Sequence, residues 1–192
     1  MSRARDAEYS EYVAARLSWL RRLAVVLCGD WQRGDDLVQA TLVKLYVRWG
    51  RVPAATHLDA YARAVLVREF IHERRSVWVR RVSLGGTVGD SPAAVADQDV
   101  VLDLRAAVAA LPARQRATLV LRFYCDLNVD QCAEILGCSP GTVKSQTARA
   151  LEATEGLRTL LGGQDGGKIL VLTLLSRHRQ RLDRLGIEQV DD

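Results

Sequence analysis

The chain has 192 residues, of which 48% are hydrophobic and 26% charged, with a net charge of +4; this is enough apolar content for a folded core and an ordinary charge for a soluble protein. No run approaches the roughly 20 apolar residues of a membrane span. No apolar signal segment follows Met1, and Asp6, Glu8 and Glu11 argue against export. The charge is unevenly placed: residues 1–81 carry 15 Lys/Arg against 9 Asp/Glu, and 82–103 hold the acids Asp90, Asp97, Asp99 and Asp103 with no base. Residues 104–161 are mildly basic again, as expected of two modules sharing a polyanionic partner.

Strand signals are nearly absent, and helical periodicity dominates. Residues 7–28 place Tyr12, Leu17, Leu20, Leu23, Ala24 and Leu27 on one stripe, with Gly29 as a stop. A second helix is expected from about Arg33 to Trp49, turning Leu37, Val38, Thr41, Leu45 and Trp49 inward. Asp35 and Asp36 fall in its first turn, where carboxylates favour the helix dipole. Gly50 and Pro53 break it, and Thr56 can cap a third helix from about His57 to Arg75. Leu58, Ala62, Val65, Leu66, Glu69 and Phe70 run along that helix. From Ser83 to Asp99, glycines, Pro92 and small or acidic residues show no period and read as a flexible acidic linker.

Helices resume at about 100–111, 113–125, 128–136 and 140–160. The fold class is therefore all-α: two small helical domains, 7–81 and 100–161, joined by a linker at 82–99, the second containing a helix-turn-helix. Gly162, Gly163, Gly166 and Gly167 precede a tail at 162–192 that is first apolar, then Arg-rich, and receives no role.

The strongest motif lies between Asn128 and Leu151. A first helix buries Cys132, Ile135 and Leu136, and small Ala133 lets a second helix approach. Gly137 supplies the turn, Ser139 is a natural N-cap, and Pro140 suits the first helical position. The second helix turns Val143, Thr147, Ala150 and Leu151 inward. Lys144, Ser145, Gln146 and Arg149 face out, with Thr142 at the entry, as a helix entering a major groove requires. Arg and Lys donate to guanine or phosphate, and Gln pairs with adenine.

Cys28, Cys125, Cys132 and Cys138 have no CxxC spacing and no nearby His, so they read as apolar core residues in a reducing cytosol; no metal or other cofactor is expected. Three scattered histidines, no Gly-rich phosphate loop and no paired carboxylates argue against an enzyme.

Several segments in register resemble a known family. Leu111-Pro112-Ala-Arg-Gln-Arg116, Leu121-Arg-Phe-Tyr124 and Gly141-Thr-Val-Lys-Ser145 resemble region 4 of extracytoplasmic-function (ECF) sigma factors. The segment from Asp35 to Leu45 is similar to their region 2.2, and His57–Arg63 through Arg74-Arg75 to regions 2.3 and 2.4. The resemblance covers roughly residues 8–160 and is nearest the actinobacterial SigE-type subgroup. It implies a cytoplasmic promoter-recognition subunit of RNA polymerase, with core polymerase (the β′ clamp helices and β flap) and promoter DNA as partners. An anti-sigma factor is left open as a further partner. Asp35, Asp36 and Gln39 become core-polymerase contacts. Arg63, Arg68, His72, Arg74 and Arg75 become −10 contacts, with Tyr61 and Phe70 as candidate platforms for unstacked bases; the alternative for both is a place in the core, which is the preferred reading of Phe70. The outward residues of the helix-turn-helix become −35 contacts, and the linker would thread near the polymerase cleft. Arg68 departs from the family, standing where many relatives carry an Asn that helps select a −10 base. The alternative from another class is a stand-alone helix-turn-helix regulator that binds operators as a dimer, which leaves residues 30–75 without a purpose.

Overall fold

A computed structural model of the chain describes residues 3–51, 57–83 and 108–153, with the side chains of 51 and 74–83 left aside. These residues are helical throughout apart from turns and fall into two compact units, Met1–Phe70 and Ile71–Asp192. Thr56, the linker from residue 84, the segment 100–107 and everything beyond 153 lie outside the described residues.

Helix α1 spans Arg3–Cys28, beginning a turn before its apolar stripe. It stops at Gly29, whose φ of +74° is a backbone conformation that costs a residue without Cβ little; its N–H donates to Val25 O at 2.8 Å. Asp30 then starts α2, Trp31–Arg48, with Oδ1 accepting from Arg33 N at 2.9 Å. The helix thus begins two residues before the position expected from periodicity. Asp35 and Asp36 consequently sit in the second turn, not the first, and the carboxylate serving the helix N-terminus is that of Asp30. A short 3-10 turn, Trp49–Arg51, follows α2. Helix α3, Leu58–Ser83, runs past Arg75, where the sequence pattern fades.

The core of the first unit is apolar on all three helices. Leu20, Leu23 and Leu27 of α1, Leu37, Val38 and Leu45 of α2, and Ala62, Leu66 and Phe70 of α3 are buried. Thr41 is accommodated among them because its hydroxyl donates to Leu37 O at 2.7 Å. Tyr12, Leu17 and Trp49, expected to face inward, are only half-buried. At one end of the bundle Tyr9, Tyr12, Tyr46 and Trp49 pack edge-on or tilted with ring centroids 5.1–5.2 Å apart. Their hydroxyls tie distant segments together: Tyr9 donates to Leu42 O at 2.8 Å, Tyr12 to Asp59 at 3.1 Å and Tyr46 to Asp6 at 3.0 Å.

α1 and α2 approach closely at Gly34, where an added Cβ would lie 2.9 Å from Val25 Cγ2 and 3.2 Å from Val25 N. Backbone cannot give way as a flexible side chain can. Gly34→Ala is therefore expected to destabilise the protein by about 1–3 kcal/mol, read as a lower urea midpoint.

In the second unit, α4 spans Ala113–Leu119 after Pro112, and the chain then widens into a π turn, Val120–Tyr124. Cys125 N–H reaches back to Val120 O at 3.0 Å, so the regular helix expected over 113–125 ends early. Helices α5, Val129–Leu136, and α6, Pro140–Ala153, complete the unit. Leu111, Leu119 and Ala150 form one cluster of its core with Phe123 and Leu151 against them, and Ala117, Val120, Leu121 and Val143 are buried as well. Arg116 is buried as well (1% exposed), its guanidinium donating to Ala109 O and, at 3.4 Å, to Leu111 O. It holds the helical residues 108–110 to α4.

The tyrosine cluster makes stability pH-dependent at the alkaline end. Burial raises the Tyr9 and Tyr12 hydroxyls above the ordinary tyrosine value, with the Asp59 carboxylate adding to the effect at Tyr12; the hydrogen bond to Asp6 raises Tyr46. Neutral hydroxyls are favoured in the folded state, so their contribution is fully present below about pH 10 and is lost as pH rises through the raised native values. Urea midpoints at about pH 8 and about pH 10.5 should fall less steeply with pH in Tyr12→Phe than in the parent.

Candidate nucleic-acid and polymerase interfaces

The helix-turn-helix is built by reciprocal capping. Asn128 Oδ1 accepts from Gln131 N and Gln131 Oε1 accepts from Asn128 N, both at 2.9 Å, a capping box that fixes where α5 begins. At its other end Gly137 adopts φ 62°, ψ 47°, and the amides of Gly137 and Cys138 both donate to Ala133 O. Ser139 Oγ then accepts from Thr142 N at 3.1 Å and starts α6. Cys132, Ala133 and Leu136 of α5 and Val143 and Ala150 of α6 are buried between the elements. The turn, the Ser139 cap and the burial of Cys132, Ile135, Leu136, Val143 and Ala150 agree with the sequence expectation, whereas Thr147 and Leu151, expected to face inward, are only half-buried.

Lys144, Ser145 and Arg149 are exposed, whereas Gln146 and Thr142 are half-buried. At about 100° per residue, Thr142, Ser145, Gln146 and Arg149 share one face at i, i+3, i+4 and i+7. Lys144 lies on the opposite margin of the exposed arc, so the structure separates it from the other four. Two hydroxyls already have partners: Ser145 donates to Thr142 O at 3.0 Å, and Thr142 pairs with Ser139 at 2.9 Å.

In the first unit, Asp36 and Gln39 are exposed on α2, but Asp35 is half-buried and accepts from Arg21 Nε at 2.9 Å. On α3, Arg68 and His72 are exposed and share a helical face with half-buried Tyr61. Arg63 points elsewhere, its guanidinium 5.7 Å from the Trp19 ring centroid. Phe70, 1% exposed, belongs to the core and offers no platform for a base. Arg74 and Arg75 lie on α3, with their side chains outside the described residues. The pairings of Asp35 with Arg21 and of Arg63 with Trp19 join separate helices, which local periodicity does not report.

Cys28 and Cys132 are buried, Cys125 and Cys138 half-buried, and all are free thiols. Burial pushes the Cys132 thiol up to about 11. Among the described residues no cluster of three metal-ligating side chains forms, and no helix is long and apolar enough to cross a membrane.

Comparison with known proteins gives these interfaces their context. Residues 102–153 match the family model described as Sigma-70, region 4, and residues 13–58 that of the Sigma2 domain of PhyR. The RNA polymerase sigma-E factor of Streptomyces avermitilis is 32% identical over 160 residues, covering 79% of this chain and 85% of the relative. This chain belongs to the ECF RNA polymerase sigma factors. The ECF sigma factor EcfG of Rhodopseudomonas palustris is 30% identical, covering 81% of this chain and 87% of that protein. The sigma factor RpoE of Bartonella quintana, solved in complex with the anti-sigma factor NepR, superposes with a TM-score of 0.61 at 27% identity, covering 79% of this chain and 97% of its own. As a sigma factor the protein is a non-enzymatic initiation subunit that binds RNA polymerase core and promoter DNA. The stand-alone operator-binding alternative gives way to this two-region match.

The turn at Gly137 has an isolable energetic role. Nothing lies within 4 Å of a Cβ placed there, so the cost of Gly137→Ala comes from its left-handed backbone alone, about 1–2 kcal/mol. Gly137→Asn should recover part of that loss in thermal unfolding, because Asn tolerates this conformation better.

Proposed function

We propose the following division of labour along the chain. Residues 7–81 act as the core-binding and −10 domain, 82–99 as the connecting linker and 100–161 as the −35 domain, while 162–192 receive no role. Asp36 and Gln39, with Asp35 held beside them by Arg21, contact the β′ clamp helices; the β flap is the second polymerase contact. Arg68, His72, Arg74 and Arg75 line α3 for the −10 backbone. Arg63, engaged with Trp19, contributes there more through orientation than through a free charge.

On α6, Thr142, Ser145, Gln146 and Arg149 read the −35 bases, and Lys144 binds phosphate at the margin. The doubly capped helix-turn-helix with this polar outer face is the observation that carries the proposal. The factor works in the cytoplasm, where its polymerase and promoters are, and an anti-sigma factor is a further partner, as for the Bartonella quintana relative. Each module neutralises few phosphates, so affinity for free DNA is weak and falls steeply with salt.

In vitro transcription with purified core polymerase on a genomic fragment library tests the whole: promoters should fire above core alone, and none doing so would end the proposal. Lys144→Ala combined with Gln146→Ala should lower −35-dependent initiation about tenfold or more, given the roughly 1–3 kcal/mol of one good base contact. Core binding, measured in parallel, should be unchanged. Joint loss of both activities would mean misfolding and would remove the assigned roles.

A further inference from the structure

Two of the four thiols flank the turn between α5 and α6. Cys132 is buried on α5 (0% exposed), and half-buried Cys138 follows Gly137. Their relation is set by the way α5 ends. With Gly137 left-handed, the Cys138 amide donates to Ala133 O at 3.1 Å, a bond that turns the chain back over the last turn of α5. In a reversal of this kind the residue after the left-handed one packs against the third or fourth residue before the end of the helix. Counted back from Leu136, those are Ala133 and Cys132. The two sulfurs are near enough to act on each other. Burial foremost keeps Cys132 protonated, and charge on Cys138 adds to that, with Arg122 opposing it.

Access to the two thiols differs. A small solute reaches half-buried Cys138 and not Cys132, which is closed in between α5 and its neighbours. Cys132 Sγ lies 3.9 Å from Leu127 O, before the start of α5, so a bond to Cys138 requires it to swing from that carbonyl towards the turn. Cys138 in turn adjoins Ser139, whose Oγ accepts from Thr142 N at 3.1 Å and starts α6. A pull on Cys138 therefore falls on the cap of α6.

We propose that Cys138 and Cys132 are a redox pair, which a hydroperoxide converts to a disulfide across the turn, lowering the ability of α6 to engage promoter DNA. The functional half rests on α6 being the −35 helix; the bond itself does not. The Cys138 thiolate attacks the distal oxygen of the hydroperoxide. An S–O bond forms, the O–O bond breaks, and the leaving oxygen takes up the proton as an alcohol or water. Cys132 then attacks the sulfenic sulfur: the S–S bond forms, the S–O bond breaks, and water leaves with the Cys132 proton. Together the sulfurs lose two electrons, which reduce the O–O bond. In a reducing cytosol such a disulfide is transient, so the reduced factor is the active form and the bond reports a burst of oxidant.

The test uses the full-length factor, reduced and then treated with hydrogen peroxide, with remaining thiols alkylated. Cleavage after Glu134 puts the two cysteines on different peptides, and mass spectrometry should find those peptides linked. In transcription with core polymerase, the oxidised factor should initiate about tenfold less, the equivalent of one good base contact. Core binding should be retained, and dithiothreitol should restore initiation. Cys138→Ser should keep its activity after peroxide, and Cys138→Ala serves the same purpose should serine disturb the turn.

No disulfide, or a bond from Cys125 to either partner, would overturn the pair. A Cys132–Cys138 bond with undiminished initiation would overturn the switch, as would equal loss of initiation in the oxidised Cys138 variants. A reduced factor that initiates from no promoter would instead end the −35 reading, and the linked peptides would still decide the bond.

Discussion

The close approach of α1 and α2 at Gly34 is the constraint on which the first unit depends. With no side chain there, the backbone of α2 comes against Val25 of α1, and that contact sets the rotation of α2 about its own axis. Once the rotation is set, Leu37, Val38, Thr41 and Leu45 must point into the bundle, and Asp36, Gln39, Val43 and Val47 must point out. The outward face of α2 is thus specified by the opposite side of the helix. A change at Gly34 would alter that outward face without touching any residue on it.

The second unit solves a similar problem with hydrogen bonds in place of close packing. α5 has only eight residues, too short to be stable by propensity alone. Its length is set by the Asn128–Gln131 capping box at one end and the left-handed Gly137 at the other. Ser139 starts α6 two residues later, so little slack remains between the two helices. Val143 and Ala150 then lock the angle from beneath. Thr142 and Ser145 bond within the first turn of α6, whereas Gln146 and Arg149 can vary in chemistry without changing that geometry.

How much of this was legible in the sequence depended on whether the cause was local. The turn between α5 and α6 was readable because Gly137, Ser139 and Pro140 each act on their own backbone. The apolar stripe of α1 was readable for the same kind of reason, since period alone reveals it. The start of α2 was misplaced because Asp30, Asp35 and Asp36 offer three carboxylates of identical chemistry, and only the observed bond to Arg33 N separates cap from surface. Asp35 and Arg63 were read as free charges because Arg21 and Trp19, their partners, lie on another helix. The π turn at Val120–Tyr124 escaped notice because an extra residue per turn leaves an apolar run looking like helix.

The buried guanidinium of Arg116 bears on how the protein can be dissected. A cation shut away from water needs its acceptors, and two of them are the carbonyls of Ala109 and Leu111, upstream of α4. The DNA-reading unit therefore does not begin at the first helix of its motif. It begins with residues 108–111, whose carbonyls hold the Arg116 guanidinium and make them a structural component of that unit. A fragment cut at Ala113 would retain the whole helix-turn-helix and still lack part of that unit's own foundation.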